Sequence, residues 1–227
     1  MKVAIAGAGA VGRSIARELI ENGHDVTLLE RNPDHIDVDA IPAAHWRLGD
    51  ACELTLLESI NLEEFDVVIA ATGDDKVNVV VSLLAKTEFA VPRVVARAND
   101  PRNEWLFDEA WGVDVAVSAP RALVAAIEGA IDIGHLVRLM ELRQGQVSLA
   151  KLTLPPDDPM VGQRVRDIRL PENTALAIVV RDSGVLLPKP DDVLEPDDEM
   201  LFFAGGSTVD QVRALVHGAI KPLPGSR

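Results

Sequence analysis

Gly7, Gly9 and Gly12 follow directly on the apolar run Val3 to Ala6, and a helical pattern begins behind them with Ile15, Ala16, Leu19 and Ile20 on one face. Glycines at this spacing, between a strand and a helix, have separate physical uses. Gly7 permits a tight turn, Gly9 lets a pyrophosphate approach the backbone, and Gly12 lets the helix pack closely on the strand. The free N–H groups of the helix and the positive end of its dipole then face phosphate oxygens. Ala10 and Val11 lie inside the same turn and are counted with its ligand-facing positions. Glu30 closes the next strand, Asp25–Glu30, 18 residues beyond Gly12. An acid about 20 residues on is where a ribose hydroxyl is held. Its side chain is expected to point into an open cleft. A lone glycine triplet also serves ordinary turns, so the flanking strand, helix and acid carry the inference of a dinucleotide site.

The elements that must position these residues follow from the pattern of apolar runs. Strands are expected at Lys2–Ala6, Asp25–Glu30, Ala44–Leu48, Asp66–Ala71, Arg93–Arg97 and Val113–Val117. Most are short and apolar without alternation, as parallel strands covered on both faces require. Helical segments lie between them at Glu53–Ser59, Asp74–Lys86 and Arg102–Ala110. This rhythm predicts an α/β fold, a Rossmann-like doubly wound parallel sheet over residues 1–118, with its ligand crevice at the carboxyl ends of the strands. Arg121 to Ile133 reads as an apolar helix within a crossover or dimerisation segment, 119–135. Residues 136–221 form a second, smaller α+β domain. Its expected strands are Leu136–Leu142, Val147–Leu154, Ala175–Arg181, Val185–Leu187 and Glu199–Ala204, with turns at Gln144-Gly145 and Asp182-Ser183-Gly184 and a closing helix Thr208–His217. The acidic stretch Asp191 to Glu199, punctuated by Pro190 and Pro196, reads as a solvated loop.

Composition narrows the classes of function. The chain has 227 residues, 48% hydrophobic, which suits a globular core. A net charge of −14, with most of the acid excess before residue 142, argues against nucleic acid as a partner. Core-strand character right after Met1-Lys2 predicts no secretory signal. Cys52 stands alone, which rules out an intrachain disulfide and suits a reducing cytoplasm.

Further residues resemble those of the bacterial Trk/Ktr potassium-uptake regulators, the class that regulates potassium conductance, in its TrkA-type form. Gly49-Asp50-Ala51 follows the third strand, and Thr72-Gly73-Asp74-Asp75 with Asn78 follows the fourth. Arg97 closes the fifth strand, and Pro159-Met160-Val161-Gly162-Gln163, Asp167-Ile168-Arg169-Leu170-Pro171 and Pro196-Asp197-Asp198-Glu199 recur in order in the second domain. The resemblance implies that Gly49, Asp50 and Ala51 meet an adenine, that Thr72, Gly73 and Asp74 line the ribose and pyrophosphate side, and that Arg97 lies near phosphates. It implies NAD or NADH as ligand, with ATP or ADP as the alternative. It also implies a potassium channel membrane subunit as partner, in a homo-oligomer or a hetero-oligomer with a sister regulatory chain. The expected place is the cytoplasm, at the inner face of the plasma membrane. The family often has Gln or Arg where this chain has Ala10, which removes a charge that would reach a terminal phosphate. Arg31, beside Glu30, could accommodate a 2′-phosphate, although the acid favours a free ribose.

The rival reading is an NAD(P)-dependent oxidoreductase of a small substrate. Such an enzyme needs a proton donor or acceptor beside the hydride. The chain has no tyrosine, and His24, His35, His45, His135 and His217 all lie away from the ends of strands four to six. Each reads as a surface or packing histidine. Cys52, on the adenine side, reads as a small buried residue. Asp50, Asp74 and Asp75 are explained by binding and helix capping. A nucleotide-sensing repressor would need a basic recognition helix, and the closing helix offers only Arg213 before His217. These features favour binding without turnover.

Overall fold

A computed structural model describes residues 1–131, 136–142, 146–182, 184–205 and 212. The chain divides into two compact units, Met1–Arg121 and Ala122–Arg227.

The first unit contains β1 (Lys2–Ala6), α1 (Ala10–Glu21), β2 (Asp25–Glu30), β3 (His45–Leu48), α2 (Leu54–Ser59), β4 (Val67–Ala70), α3 (Asp75–Thr87), β5 (Arg93–Ala98) and β6 (Val115–Ser118). All six strands are parallel, in the order β3-β2-β1-β4-β5-β6. The unbroken apolar runs of β1 and β2 are explained by burial on both faces. Val3, Ile5, Val26 and Leu28 pack with Ala16, Ile15 and Leu19 of α1. Ala4, Ala6, Leu29, Val68 and Val94 pack with Leu57 of α2 and Val79, Val81 and Ala85 of α3.

The register sets the place of the site. Ala6 of β1 lies opposite Leu29 of β2 and Ala70 of β4, so three strands end level. The chain reverses its direction of travel across the sheet between β1 and β4, and there the glycine turn, Glu30 and Thr72 emerge side by side. Such a switch point is where an open parallel sheet leaves a crevice.

One expected helix takes another form. Arg102–Ala110 is two short 3-10 turns, Pro101–Leu106 and Glu109–Trp111, rather than an α-helix. Asp100 caps the first on Arg102 N–H at 2.9 Å, and Pro101 opens it. Asp108 then starts a second cap on Ala110 N–H at 3.0 Å, and Gly112, with φ of 76°, ends it. Two caps eight residues apart leave no length for a continuous helix.

The helix α4 (Ala119–Ile131) carries Leu123, Val124 and Ile127 exposed. In the second unit β7 (Val137–Leu142), β8 (Val147–Thr153), β9 (Thr174–Arg181), β10 (Gly184–Leu186) and β11 (Glu199–Gly205) form an antiparallel sheet, ordered β10-β9-β11-β8-β7. Its inner face is apolar, with Leu152, Met200 and Phe202 buried. The Gln144-Gly145 turn, Ser183 and the closing helix, apart from buried Val212, lie outside the described residues. The acidic stretch is more than a solvated loop. Asp198 is fully buried and takes the Arg181 guanidinium through Nε at 2.7 Å and Nη2 at 2.8 Å. Its Oδ2 also accepts Glu195 N–H at 2.8 Å, so a charge near zero exposure has several partners.

Candidate functional site

At the switch point lies a cleft of about 550 Å³. Gly7, Gly9, Ala10 and Val11 line it from the turn, and Glu30 and Arg31 from the end of β2. Gly49, Asp50 and Ala51 line it beyond β3, while Thr72, Gly73, Asp74 and Arg97 contribute from β4 and β5. The sequence does not point to Leu29, Ala71, Val77 and His35, which line it as well. Three of these are apolar wall whose place beside the cleft only the register reveals. His35 reads from sequence as a surface or packing residue, and nothing in its local sequence signals otherwise.

Gly12 is the expected residue that stays out of the cleft. A Cβ there would stand 1.9 Å from the Gly7 carbonyl oxygen and 3.7 Å from Ile5 Cγ2. It brings α1 against the turn itself more than against the strand. Gly7 has φ of 98°, and a Cβ on it would meet Thr72 Cα at 2.9 Å. Both glycines are therefore required by the fold. Gly9 differs, because a Cβ added there would meet nothing within 4 Å and its backbone is extended. As N-cap of α1 it has no side chain to cover the helix's first N–H groups. That open space is a cradle in which an anionic group fits against the helix end.

Glu30 lines the cleft, and two backbone donors hold its carboxylate there. Its Oε2 accepts Ala8 N–H at 2.8 Å, and its Oε1 accepts Asn32 N–H at 2.9 Å. The side chain is only 11% exposed, with His35 Nδ1 at 3.7 Å from Oε1. Each carboxylate oxygen can accept a second hydrogen bond, so capacity for a ribose hydroxyl remains. Arg31 Nη1 lies 3.5 Å from Asp50 Oδ2, and Asp50 Oδ1 accepts Cys52 N–H at 2.9 Å. Cys52 is half-buried, and burial, then the Asp50 carboxylate, push its thiol up to about 11. A thiol that stays protonated at neutral pH is no nucleophile.

The opposite wall is a side-chain network centred on Asn78, which is fully buried in α3. Its Oδ1 accepts Thr72 N–H at 2.9 Å and Thr72 Oγ1–H at 2.7 Å. Its Nδ2 donates to Thr72 O at 3.1 Å and to Arg97 O at 2.8 Å. One amide thus joins the ends of β4 and β5. Asp74 caps α3 on Lys76 N–H at 2.9 Å. Asp75 is buried and accepts Asn99 N–H at 2.6 Å, Asp100 N–H at 3.0 Å and Asn103 Nδ2–H at 2.8 Å. Burial opposes its ionised form, but the donors of Asn103, Asn99 and Asp100 outweigh it and lower its pKa. Asp75 is therefore a structural anion. Arg97, whose backbone this network holds, has a buried Nε with no hydrogen-bond partner. Leaving a buried donor unpaired costs about 1–3 kcal/mol, a cost an anion in the cleft would remove. The cleft thus offers helix N–H groups and one guanidinium with a spare donor to phosphate, and a carboxylate to ribose.

No group of acids, histidines or cysteine suited to hold a metal occurs among the described residues. Nor, among them, is any helix long and apolar enough to cross a membrane.

Residues 3–119 match the TrkA-N domain family, and residues 149–217 match the TrkA-C domain family. The Trk system potassium uptake protein TrkA of Mycobacterium tuberculosis is 66% identical over 216 residues, 95% of this chain and 98% of that protein. A Trk system potassium uptake protein TrkA homolog of Methanothermobacter thermautotrophicus is 30% identical, covering 86% of this chain and 89% of its own. Among solved structures, the GsuK channel bound to NAD aligns with all of this chain and 40% of its own, at a TM-score of 0.66 and 16% identity. The GsuK RCK domain aligns over 95% of this chain and 47% of its own, at 0.61 and 16%. At such identities the structures speak for the fold alone. Two domain families in order, and a relative two-thirds identical from end to end, leave one assignment: the chain belongs to the TrkA family of Trk system potassium uptake proteins.

Proposed function

We propose that the chain is a cytoplasmic regulatory subunit that binds NAD or NADH in the cleft and gates a potassium-uptake channel. The observation that carries the binding half is the buried, unpartnered Arg97 Nε in the same cleft as the open Gly9 turn. The charge count favours a dinucleotide over ATP or ADP. Arg31 is engaged by Asp50, and Ala10 adds no charge, which leaves Arg97 as the unpaired cation lining the cleft among the described residues. A pyrophosphate diester is less anionic than the phosphate chain of ATP and suits that supply.

The channel half rests on membership of the TrkA family. A ligand shifts the partner's opening by no more than its difference in affinity for two states of the assembly, ordinarily about 1–3 kcal/mol. Such coupling calls for a symmetric oligomer, with itself or with a sister chain. Exposed Leu123, Val124 and Ile127 on α4 supply an apolar surface for it. The cleft works as a binding site without turnover. Its acids cap helices or tie backbone, and the Cys52 thiol, which does not line it, is pushed up by burial.

Calorimetric titration of the full chain with NAD, NADH, NADP, NADPH, ATP and ADP tests the ligand. Tightest binding of NAD or NADH is expected, and preference for ATP or ADP would reverse the assignment. Saturable oxidation of NADH by a small carbonyl compound would restore the oxidoreductase reading. Light scattering tests assembly, with Leu123→Asp/Ile127→Asp expected to yield a smaller species that still binds nucleotide.

A further inference from the structure

His35 ends a short 3-10 turn, Pro33–His35, that is tied to Glu30 at its start and to α1 at its end. Asn32 Oδ1 accepts Asp34 N–H at 3.0 Å, and Asn32 N–H is itself held by Glu30 Oε1 at 2.9 Å. From α1, Arg13 Nη1 reaches the His35 carbonyl oxygen at 3.5 Å. The imidazole is thereby placed with Nδ1 3.7 Å from Glu30 Oε1, at 54% exposure against 11% for the Glu30 side chain. It is open to solvent while facing a nearly buried carboxylate. Arg31 and Asp50 line the cleft with it, Arg13 approaches it from α1, and Asp34 lies in its own turn. Arg31 is taken by Asp50, and Arg13 is turned to a carbonyl.

We propose that His35 is a specificity-determining residue of the cleft, setting through its charge how Glu30 discriminates a ribose 2′-hydroxyl from a 2′-phosphate. The proposal rests on the reading of the cleft as a dinucleotide site. Beside a neutral imidazole, Glu30 accepts a hydrogen bond from a hydroxyl and repels a phosphate. Protonation puts a positive charge 3.7 Å from Oε1, which competes for the carboxylate and cancels much of that repulsion. Preference for the unphosphorylated dinucleotide therefore narrows as pH falls.

The test is calorimetric titration of the full chain with NAD and NADP, both stable in mild acid, at pH 8 and pH 6. The preference of wild type for NAD over NADP should fall between the two, by about tenfold for one full added charge at this range. The 2′-phosphate also loses charge near pH 6, but that contribution is common to every variant. His35→Gln should keep most of the preference at pH 6, and His35→Lys should show the narrowed preference already at pH 8. Equal pH courses for wild type and His35→Gln, or His35→Lys behaving like His35→Gln, would overturn the proposal alone. Failure of wild type to bind NAD at either pH would overturn the dinucleotide reading with it.

Discussion

The two walls of the cleft are made of different material. The glycine wall works by what is missing, since Gly7 and Gly12 let neighbouring backbone close in where a side chain would clash, and Gly9 leaves open space beside the first turn of α1. The Thr72–Arg97 wall works by what is present, a closed set of side-chain hydrogen bonds around Asn78 with one donor left over. Substitution on the first wall therefore adds an obstruction, whereas on the second it removes a partner. The contrast also runs within the glycine wall, where two residues serve the fold and the third serves the space beside it.

Gly12→Ala should produce the largest effect. A methyl group 1.9 Å from a backbone oxygen cannot be relieved by a rotamer change, so the turn or α1 must move. Destabilisation of about 3 kcal/mol or more is expected by thermal or denaturant unfolding, at the upper end for overpacking. An unfolding midpoint unchanged from wild type would show that the turn gives way easily, and the division among the glycines would collapse. Gly9→Val is the matched opposite. Stability should stay within about 0.5 kcal/mol of wild type, as for a surface change, while nucleotide affinity falls about 100-fold or more. Normal binding by a folded Gly9→Val would place the ligand elsewhere.

On the other wall, Arg97→Ala should weaken binding by about 1.5–3 kcal/mol, the range for a hydrogen bond to a charged group. Stability should not fall, because the deleted Nε had no partner to lose. A marked loss of stability would mean that the guanidinium is structural. The smallest effect concerns Asp75, whose folded-state pKa lies below the ordinary 3.8 because burial is outweighed by its donors. Its contribution to stability is complete above that ordinary value and is lost as pH falls through the lower folded one. Wild type should thus be more stable than Asp75→Asn near neutrality, with the gap closing in acid below about pH 4. A gap independent of pH would remove the charge from the account.

The difference between the walls also explains what is legible in the sequence. The parallel sheet is legible because both faces of β1 and β2 are covered, which forces unbroken apolar runs into the sequence. The turn is legible because steric need for glycine is written in residue type. Asn78 can be named only through family resemblance, since its four bonds depend on the register that sets Thr72 beside Arg97. His35 escapes notice because its partner is Glu30, reached through a capped turn with no periodicity of its own. The 102–110 segment misleads because its apolar content looks helical, while the competing caps at Asp100 and Asp108 decide the outcome. Buried Asp198 shows the same weakness, for an acid among acids looks solvated until its arginine is found on another strand.

The hydrogen bond from Ala8 N–H to Glu30 bears on timing as well as shape. It links the middle of the glycine turn to Glu30 at the end of β2, so the floor of the cleft is ordered by folding itself. A nucleotide arriving there need not wait for a loop to close, nor meet the entropy of freezing one. Encounter then proceeds at the rate of an ordinary preformed site, and differences in affinity between ligands are expressed mainly in how long each one stays. Under the proposed dinucleotide reading, residence time rather than encounter rate is what separates one ligand from another.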